Sequence, residues 1–369
     1  MNELAIHIAG FGPKEADNMR RAFGRHNNNL LLEGYFYKFI NGALRRGVSK
    51  PDAKKIFNKF SGQYMFPESH AYAFGITAYQ MAWLKFHYPL EFYVAIFNQQ
   101  PMGFYNIETL KEDANRHGIE VLNPNINKSM DRCVIKDETS FLLGLSNVKG
   151  LGTSKVKKII DVRKHGQTFN SLRDMMWRTA IEKSSIESLI MAGAFDSLIA
   201  DRKSALWEVG LLHSKRGDQQ RLPFPTDQDM PELAPLTRYQ MMMDEYRTMD
   251  IYPTGHIMRY IRERISGDIA TSRDIKTLAE GTRVDVVGLV IRRQKPNTDA
   301  IFITLEDEFG HIPILVWTDI FDKYRLDIMK PVLKISGEIS RRQGSLTIVS
   351  MCIRGIGLND FIPRSKNWM

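Results

Sequence analysis

The apolar residues of this chain change their spacing once, near Thr282, and that change dictates the class of fold. Beyond it they alternate. Val284, Val286, Val287, Leu289, Val290 and Ile291 form a largely β-branched run between Gly281 and Pro296. Period two places alternate side chains on opposite faces, which is the signature of a strand. Residues 301–306 form a second run, closed by the turn residues Asp307-Glu308-Phe309-Gly310, and residues 312–317 a third. A short helix at residues 320–324 precedes further runs at 332–337 and 346–353. Five strands with a helical insert after the third predict an OB-fold. Before Thr282 the helical spacing prevails. The expected fold class is multidomain α+β, a mostly helical region followed by a C-terminal OB-fold β-barrel.

Upstream, residues 13–23 start on Pro13 and carry apolar residues at helical spacing, and residues 51–60 repeat that design from Pro51. An aromatic helix over residues 71–86 is closed by Tyr88-Pro89, and another at 90–99 stops before Pro101. Residues 106–139 hold one helix, 107–117, and the turn Asn123-Pro124-Asn125; residues 140–212 read as helical again. Residues 214–220 are polar and lead into Pro223, Pro225, Pro231 and Pro235, which marks a linker. Helices at 239–247 and 258–265 follow. The expected divisions are residues 1–105, 106–212, the linker 213–237, a helical connector 238–275, the barrel 276–356 and a tail 357–369.

Lys and Arg outnumber Asp and Glu by 51 to 42, a formal charge of +9. A basic balance favours an anionic partner, of which nucleic acid is the commonest. Cys133 and Cys352 stand far apart in no metal-ligand spacing, so both are expected as reduced, buried thiols. There is no signal-peptide pattern, and no apolar run approaches the roughly 18 residues of a membrane span. A cytoplasmic protein without membrane contact is the expectation.

The chemistry concentrates at Val148-Lys149-Gly150-Leu151-Gly152. Two glycines in a turn between helices remove the Cβ atoms that would keep a phosphate away from the backbone. Thr153 and Ser154 are then placed to cap the second helix, whose first N–H groups point at the anion. Lys149, Lys155, Lys157 and Lys158 surround the turn, Arg163 and Lys164 lie further along, and Asp161 is the acid nearby. This is a helix-hairpin-helix pattern, which grips the DNA backbone and reads no sequence. The plainer alternative is an interhelical turn with a solvated lysine face. A degenerate second hairpin at residues 189–195 reads by itself as an ordinary helix end. On the barrel, Phe302 and Trp317 are either base-stacking platforms or core, with Arg292, Arg293, Lys295, Arg341 and Arg342 available to track phosphates of a single strand.

These elements, in this order, resemble the C-terminal part of the bacterial C-family DNA polymerases, the family of the DNA polymerase III alpha subunit and its error-prone branch. Phe66-Pro67-Glu68-Ser69-His70-Ala71, the stretch 79–85 and His87-Tyr88-Pro89-Leu90-Glu91-Phe92 are similar to the family's fingers segment, as are Gly10-Phe11 and residues 16–24. The resemblance runs over about residues 3 to 356. Glu68, where the replicative form usually has Lys, and the stretch 98–105 resemble the error-prone branch.

The resemblance implies partial fingers over residues 1–105, with Arg20 and Arg21 facing the phosphates of an incoming nucleotide and Ser69 and His70 in the same segment. Paired guanidinium groups suit that role because they stay charged and fork onto phosphate oxygens. The family's metal-binding palm precedes the fingers, and no Asp-x-Asp motif of the palm kind is found. Hence no catalytic residue, metal ligand or cofactor is expected in this chain, and Mg2+ belongs to the complete polymerase. Gln219-Gln220-Arg221-Leu222-Pro223-Phe224 lies where the replicative subunit binds the sliding clamp, with Gln219, Leu222 and Phe224 as the matching residues and Pro223 as a departure.

Three functions follow as expectations. The first is a DNA-binding, non-polymerising part of an error-prone polymerase in replication and repair synthesis, holding primer-template duplex and single strands. The second is the fingers-bearing half of a split polymerase, active with a separate palm polypeptide. The third is a module that tethers the clamp or translesion accessory proteins.

Overall fold

The computed structural model describes residues 1–23, 29–60, 68–103, 105–214, 233–295, 300–357 and 366–368. They divide into two compact units, residues 1–83 and 84–369. In the first, helices α1 (Asn2–Ala9), α2 (Pro13–Phe23), α3 (Asn29–Arg45) and α4 (Lys50–Asn58) are followed by α5 (Glu68–His87). The start signals read from the sequence hold for α2 and α4. Ser49 caps α4 by accepting the Asp52 N–H at 3.3 Å, with Pro51 in the first turn. The core of this unit is aromatic: Phe39, Phe57 and Phe60 are buried and their rings meet edge-on or tilted, with Phe39 and Phe57 centroids 5.5 Å apart. Along α5 the aromatic side chains stand exposed, Tyr72, Phe74 and Tyr79 among them.

The second unit begins at Leu84, in the last turn of α5, and continues with α6 (Pro89–Phe97) and α7 (Ile107–Arg116). Three short strands follow, β1 (Glu120–Leu122), β2 (Val134–Ile135) and β3 (Ser140–Leu142), in the order β1-β3-β2. The sequence reading had no strand there, because two or three residues are too few to show alternation. α6 and α7 contact these strands, and helices α8 (Gly152–Gly166), α9 (Leu172–Thr179), α10 (Lys183–Met191) and α11 (Arg202–Ser214) follow. Phe97, Phe141, Leu145, Ile159, Met175 and Leu189 belong to their shared core. The connector holds α12 (Arg238–Met249), begun by a reciprocal capping box between Thr237 and Gln240, and α13 (Ile257–Arg262).

Then come β4 (Arg283–Gln294), β5 (Ala300–Asp307), β6 (Gly310–Trp317), helices α14 (Thr318–Lys323) and α15 (Arg325–Ile328), β7 (Val332–Ser340) and β8 (Thr347–Ile356). All five expected strands and the helical insert are present. β4 pairs with β5 and β7, β5 with β6, β6 with β8, and β8 with β7, so the hydrogen bonding runs round five strands and returns to its start. Only β6 and β8 are parallel within that ring. β-branched residues fill its inside, including Val286, Ile303, Ile314, Ile335 and Ile353. The expected tail contributes a further strand, β9 (Lys366–Trp368), parallel to β4 at Arg292, Arg293 and Gln294.

A buried charge cluster joins α7, the connector and the ring. The Lys111 ammonium is fully buried. It donates to the carbonyls of Tyr252 (2.9 Å) and Gly255 (2.6 Å), pairs with Glu108 at 2.9 Å and touches Glu112. Glu108 in turn accepts from the Tyr246 hydroxyl (2.8 Å) and the Tyr252 N–H (2.9 Å). Next along α7, Thr109 and Arg116 both donate at 3.2 Å to Glu306 of β5, which is fully buried. Removing Lys111 would strand two buried carboxylates, so Lys111→Met should cost about 3–5 kcal/mol in urea unfolding.

One ammonium cannot neutralise both Glu108 and Glu112. Burial pushes Glu108 up to about 7 from its ordinary 4.5, against the pull of Lys111, and Glu112 is raised as well. Between those two values the folded chain keeps a proton that the unfolded chain has released. Stability from this cluster therefore falls as pH rises through that window, by at most about 1.4 kcal/mol per pH unit. Glu112→Gln leaves Lys111 a single carboxylate partner. Thermal unfolding at pH 5 and pH 8 should show the variant gaining on the wild type at the higher pH; an unchanged difference between them would refute this assignment.

Candidate nucleic-acid interface

The Val148–Gly152 turn is anchored from below and open above. Val148 and Leu151 are buried, whereas Gly150 and Gly152 are exposed. Both glycines sit at positive φ, +79° and +63°, and a Cβ at either would meet nothing within 4 Å. Backbone conformation thus demands glycine, and no neighbouring side chain covers it. One turn of 3-10 helix, Leu145–Asn147, precedes the turn in place of a longer helix, and α8 follows it. The capping expectation is corrected: the N-cap position is Leu151, no side chain caps α8, and Thr153 and Ser154 lie exposed in its first turn. The first N–H groups of α8 thus lack a side-chain cap, which suits an external anion.

The lysines divide into two groups. Lys149 pairs with Asp250 at 2.6 Å, and Lys155 reaches Glu182 (3.0 Å) and Ser185 (2.9 Å) on α10. Asp250 and Glu182 were missed by the sequence reading, which saw Asp161 alone, because they arrive from distant parts of the chain. Lys157, Lys158 and Lys164 are exposed and make no hydrogen bond or ion pair among the described residues. Lys157 and Lys164 line a cleft of about 480 Å³ with Arg132 and Thr153, beside Asp131 and Asp161. Arg163 points elsewhere, donating to the carbonyls of Ile126 (2.9 Å) and Ser129 (2.8 Å).

The degenerate second hairpin has the opposite character. Ala192, Ala194 and Phe195 are buried, and a Cβ on Gly193 would lie 2.5 Å from Arg202 and 2.6 Å from Asn123. Arg202 binds Asp196 through two contacts, 2.9 and 2.7 Å, and Glu245 of α12 at 2.8 Å. This turn packs inward, as an ordinary helix end does.

On the five-stranded ring the candidates separate by strand parity. Arg292, Phe302 and Trp317 share the outward face: Arg292 is opposite Thr304, Phe302 is opposite Gln294, and Trp317 lies one diagonal away. Phe302 and Trp317 are each 44% exposed, so neither is core. Arg293 points inward. It is 2% exposed and donates to the carbonyls of Ile328 (2.9 Å) and Lys330 (2.6 Å), and burial pulls its guanidinium down to about 10. Arg341 is also engaged, donating to the carbonyls of Lys276 (2.7 Å) and Leu278 (2.9 Å). Neither is placed to track phosphates. Lys295 sits 5.6 Å from the centre of the Phe321 ring, and Arg342 is exposed.

Elsewhere, Arg20 and Arg21 both bind Asp17, at 2.9 and 2.8 Å, and the Arg20 guanidinium, ahead of Arg21, holds that carboxyl below its ordinary value. Ser69 is exposed, and the His70 ring lies 4.2 Å from that of Phe74. Gln219, Leu222 and Phe224 lie outside the described residues. Cys133 is buried, its thiol pushed up to about 11 by burial, but Cys352 is exposed beside a bulge between β7 and β8, contrary to expectation.

The family model for the helix-hairpin-helix motif matches residues 118–205, the stretch that holds this turn. The chain is similar over 94% of its length to error-prone DNA polymerases. It is 34% identical to the one from Sinorhizobium medicae strain WSM419 and 31% identical to the one from Symbiobacterium thermophilum, and 33% identical to error-prone DNA polymerase 1 of Rhizobium meliloti. The resemblance to the C-family polymerases and their error-prone branch is thereby shown. The chain spans 34 to 37% of the length of these relatives. Among solved structures, the hypothetical protein ygiW from E. coli covers 25% of this chain and 94% of its own at a TM-score of 0.20 and 21% identity, too slight a likeness to carry an assignment. No helix among the described residues is long and apolar enough to cross a membrane.

Because left-handed backbone costs a side-chain-bearing residue roughly 1–2 kcal/mol, Gly150→Ala and Gly152→Ala should each lower unfolding free energy by about that amount. Denaturant titration checks this; a cost near zero would mean the turn relaxes to another conformation.

Proposed function

We propose that this chain holds DNA for an error-prone polymerase of the C-family, gripping the phosphate backbone at the Val148–Gly152 turn and along the exposed lysines of α8. The observation that carries this reading is the pair of uncovered positive-φ glycines at the start of α8, the helix that carries Lys157, Lys158 and Lys164, within the stretch that matches the helix-hairpin-helix model. Lys149 and Lys155 contribute by exchanging their surface carboxylate partners for phosphate, an exchange that costs little at exposed sites.

The five-stranded ring is read as an OB-fold, supported by its closed pairing order and the helices between the third and fourth strands. Arg292, Phe302 and Trp317 form its single-strand surface. Arg20 and Arg21 would face nucleotide phosphates only after releasing Asp17. Polymerisation itself is assigned to the part of the relatives that this chain does not span. Among the described residues no group of three or more His, Cys, Asp or Glu could hold a metal ion, and no step is routed through the Mg2+ implied for the complete polymerase. Clamp and accessory-protein binding, and pairing with a palm-bearing polypeptide, stay secondary proposals.

Fluorescence anisotropy with labelled primer-template DNA tests the main reading. Binding at roughly 50 mM salt should weaken steeply by 200 mM, as counterion release requires. Lys157→Glu with Lys158→Glu should weaken it about tenfold or more and flatten the salt slope by about two. Absence of binding at low salt, or an affinity indifferent to the double substitution, would overturn the proposal.

A further inference from the structure

Helix α4 and its C-cap carry a face of lysines that the helix itself does not need. Lys50, Lys54, Lys55 and Lys59 are all exposed, and their side chains make no hydrogen bond or ion pair among the described residues. Lys50 and Lys54 stand one turn apart, as do Lys55 and Lys59. Like charges at that spacing destabilise a helix. Lys50 also lies in the first turn, where the helix dipole disfavours a cation. Asp52, the acid of this helix, is engaged by the cap: its carboxylate accepts from the Ser49 hydroxyl at 2.6 Å.

Packing fixes which way this face points. Ala53 and Phe57 are buried, and the Phe57 ring lies 5.2 Å from that of Phe36 and 5.5 Å from those of Phe23 and Phe39. The lysines take the remaining arc and turn to solvent. With its apolar side committed to the core, α4 has no apolar stripe left to enter a lipid surface, as an interfacial helix must. Other acids of the same unit are already taken: Glu15 pairs with Lys38, and Asp17 holds Arg20 and Arg21.

The spacing suits an extended polyanion. From Lys50 to Lys59 the helix advances about 13.5 Å, at roughly 1.5 Å per residue. One strand of duplex DNA carries a charge about every 3.4 Å of its axis, so that length spans about four phosphates. A single phosphate would engage one turn of the helix and leave the other lysines unused. Lysine is a point charge on a flexible stem, which follows a phosphate backbone without reading bases.

We infer that the lysine face of α4 is a second contact for the DNA backbone, an electrostatic track separate from the glycine turn and the lysines of α8. The inference rests on the proposed DNA binding for the identity of the polyanion. The face belongs to the first compact unit and shares no residue with the hairpin, so the two contacts can be struck independently.

Fluorescence anisotropy of the whole chain with labelled primer-template DNA tests it. Lys50→Gln, Lys54→Gln, Lys55→Gln and Lys59→Gln together should weaken binding about tenfold or more at roughly 50 mM salt and lower the salt slope by about three to four. Arg at the same four positions should keep the affinity within about twofold, since the charges remain. The Gln variant should unfold thermally no earlier than the wild type, because two like-charge pairs are relieved. If Lys157→Glu with Lys158→Glu weakens binding and the Gln variant does not, this inference is overturned and the hairpin reading stands. If the Gln variant alone weakens it, the inference stands and the hairpin reading falls. Absence of binding at low salt overturns both. The inference is also overturned if the Gln variant unfolds earlier, which would make the lysines structural, or if it loses binding to phosphatidylserine vesicles while DNA binding is unchanged.

Discussion

The Lys111 ammonium lies at the meeting point of three parts of the larger unit, and their mutual placement depends on it. It reaches the carbonyls of Tyr252 and Gly255 in the connector while pairing with Glu108 and Glu112 on its own helix. The same helix sends Thr109 and Arg116 to Glu306 on the five-stranded ring. A buried charge tolerates little displacement, because each hydrogen bond it loses leaves a polar group without water. Apolar packing between the same elements would permit sliding. The cluster therefore acts as a joint of defined geometry between the helical region that presents the Gly150–Gly152 turn and the ring that presents Phe302 and Trp317.

Similar side chains take opposite roles according to what surrounds them. Arg292 and Arg293 are adjacent on β4, yet one faces outward with the aromatics and the other caps backbone carbonyls inside. Gly150 and Gly193 both have positive φ, but open space surrounds the first and the Arg202 network surrounds the second. Lys149 and Lys157 flank one turn, and only Lys149 meets a carboxylate. In each pair the residue type states a chemical capacity, and the environment decides whether that capacity faces solvent.

Much of the architecture was legible in the chain. The five strands and the insert after the third were visible as alternation, α2 and α4 as helical spacing with start signals, and α7 and α12 as helices at 107–117 and 239–247. The strands β1, β2 and β3 were not, since they are held by pairing with one another and with the helices that cover them. At the turn, the two glycines were legible because positive φ is a local demand. The capping role given to Thr153 and Ser154 was not correct, since the N-cap position of α8 is Leu151, ahead of both.

What the sequence by itself determined was the division into a helical and an alternating part, the glycine turn with its lysine-rich helix, and the kinship with error-prone polymerases. Those features rest on local periodicity, on backbone conformation that few residues can adopt, and on residue order, all of which are written along one dimension. The tertiary structure decided which lysines stay unpaired and which arginines are committed to backbone carbonyls. Those outcomes depend on partners such as Asp250, Glu182 and Ile328, which come from other stretches of the chain and meet these residues only when the elements pack.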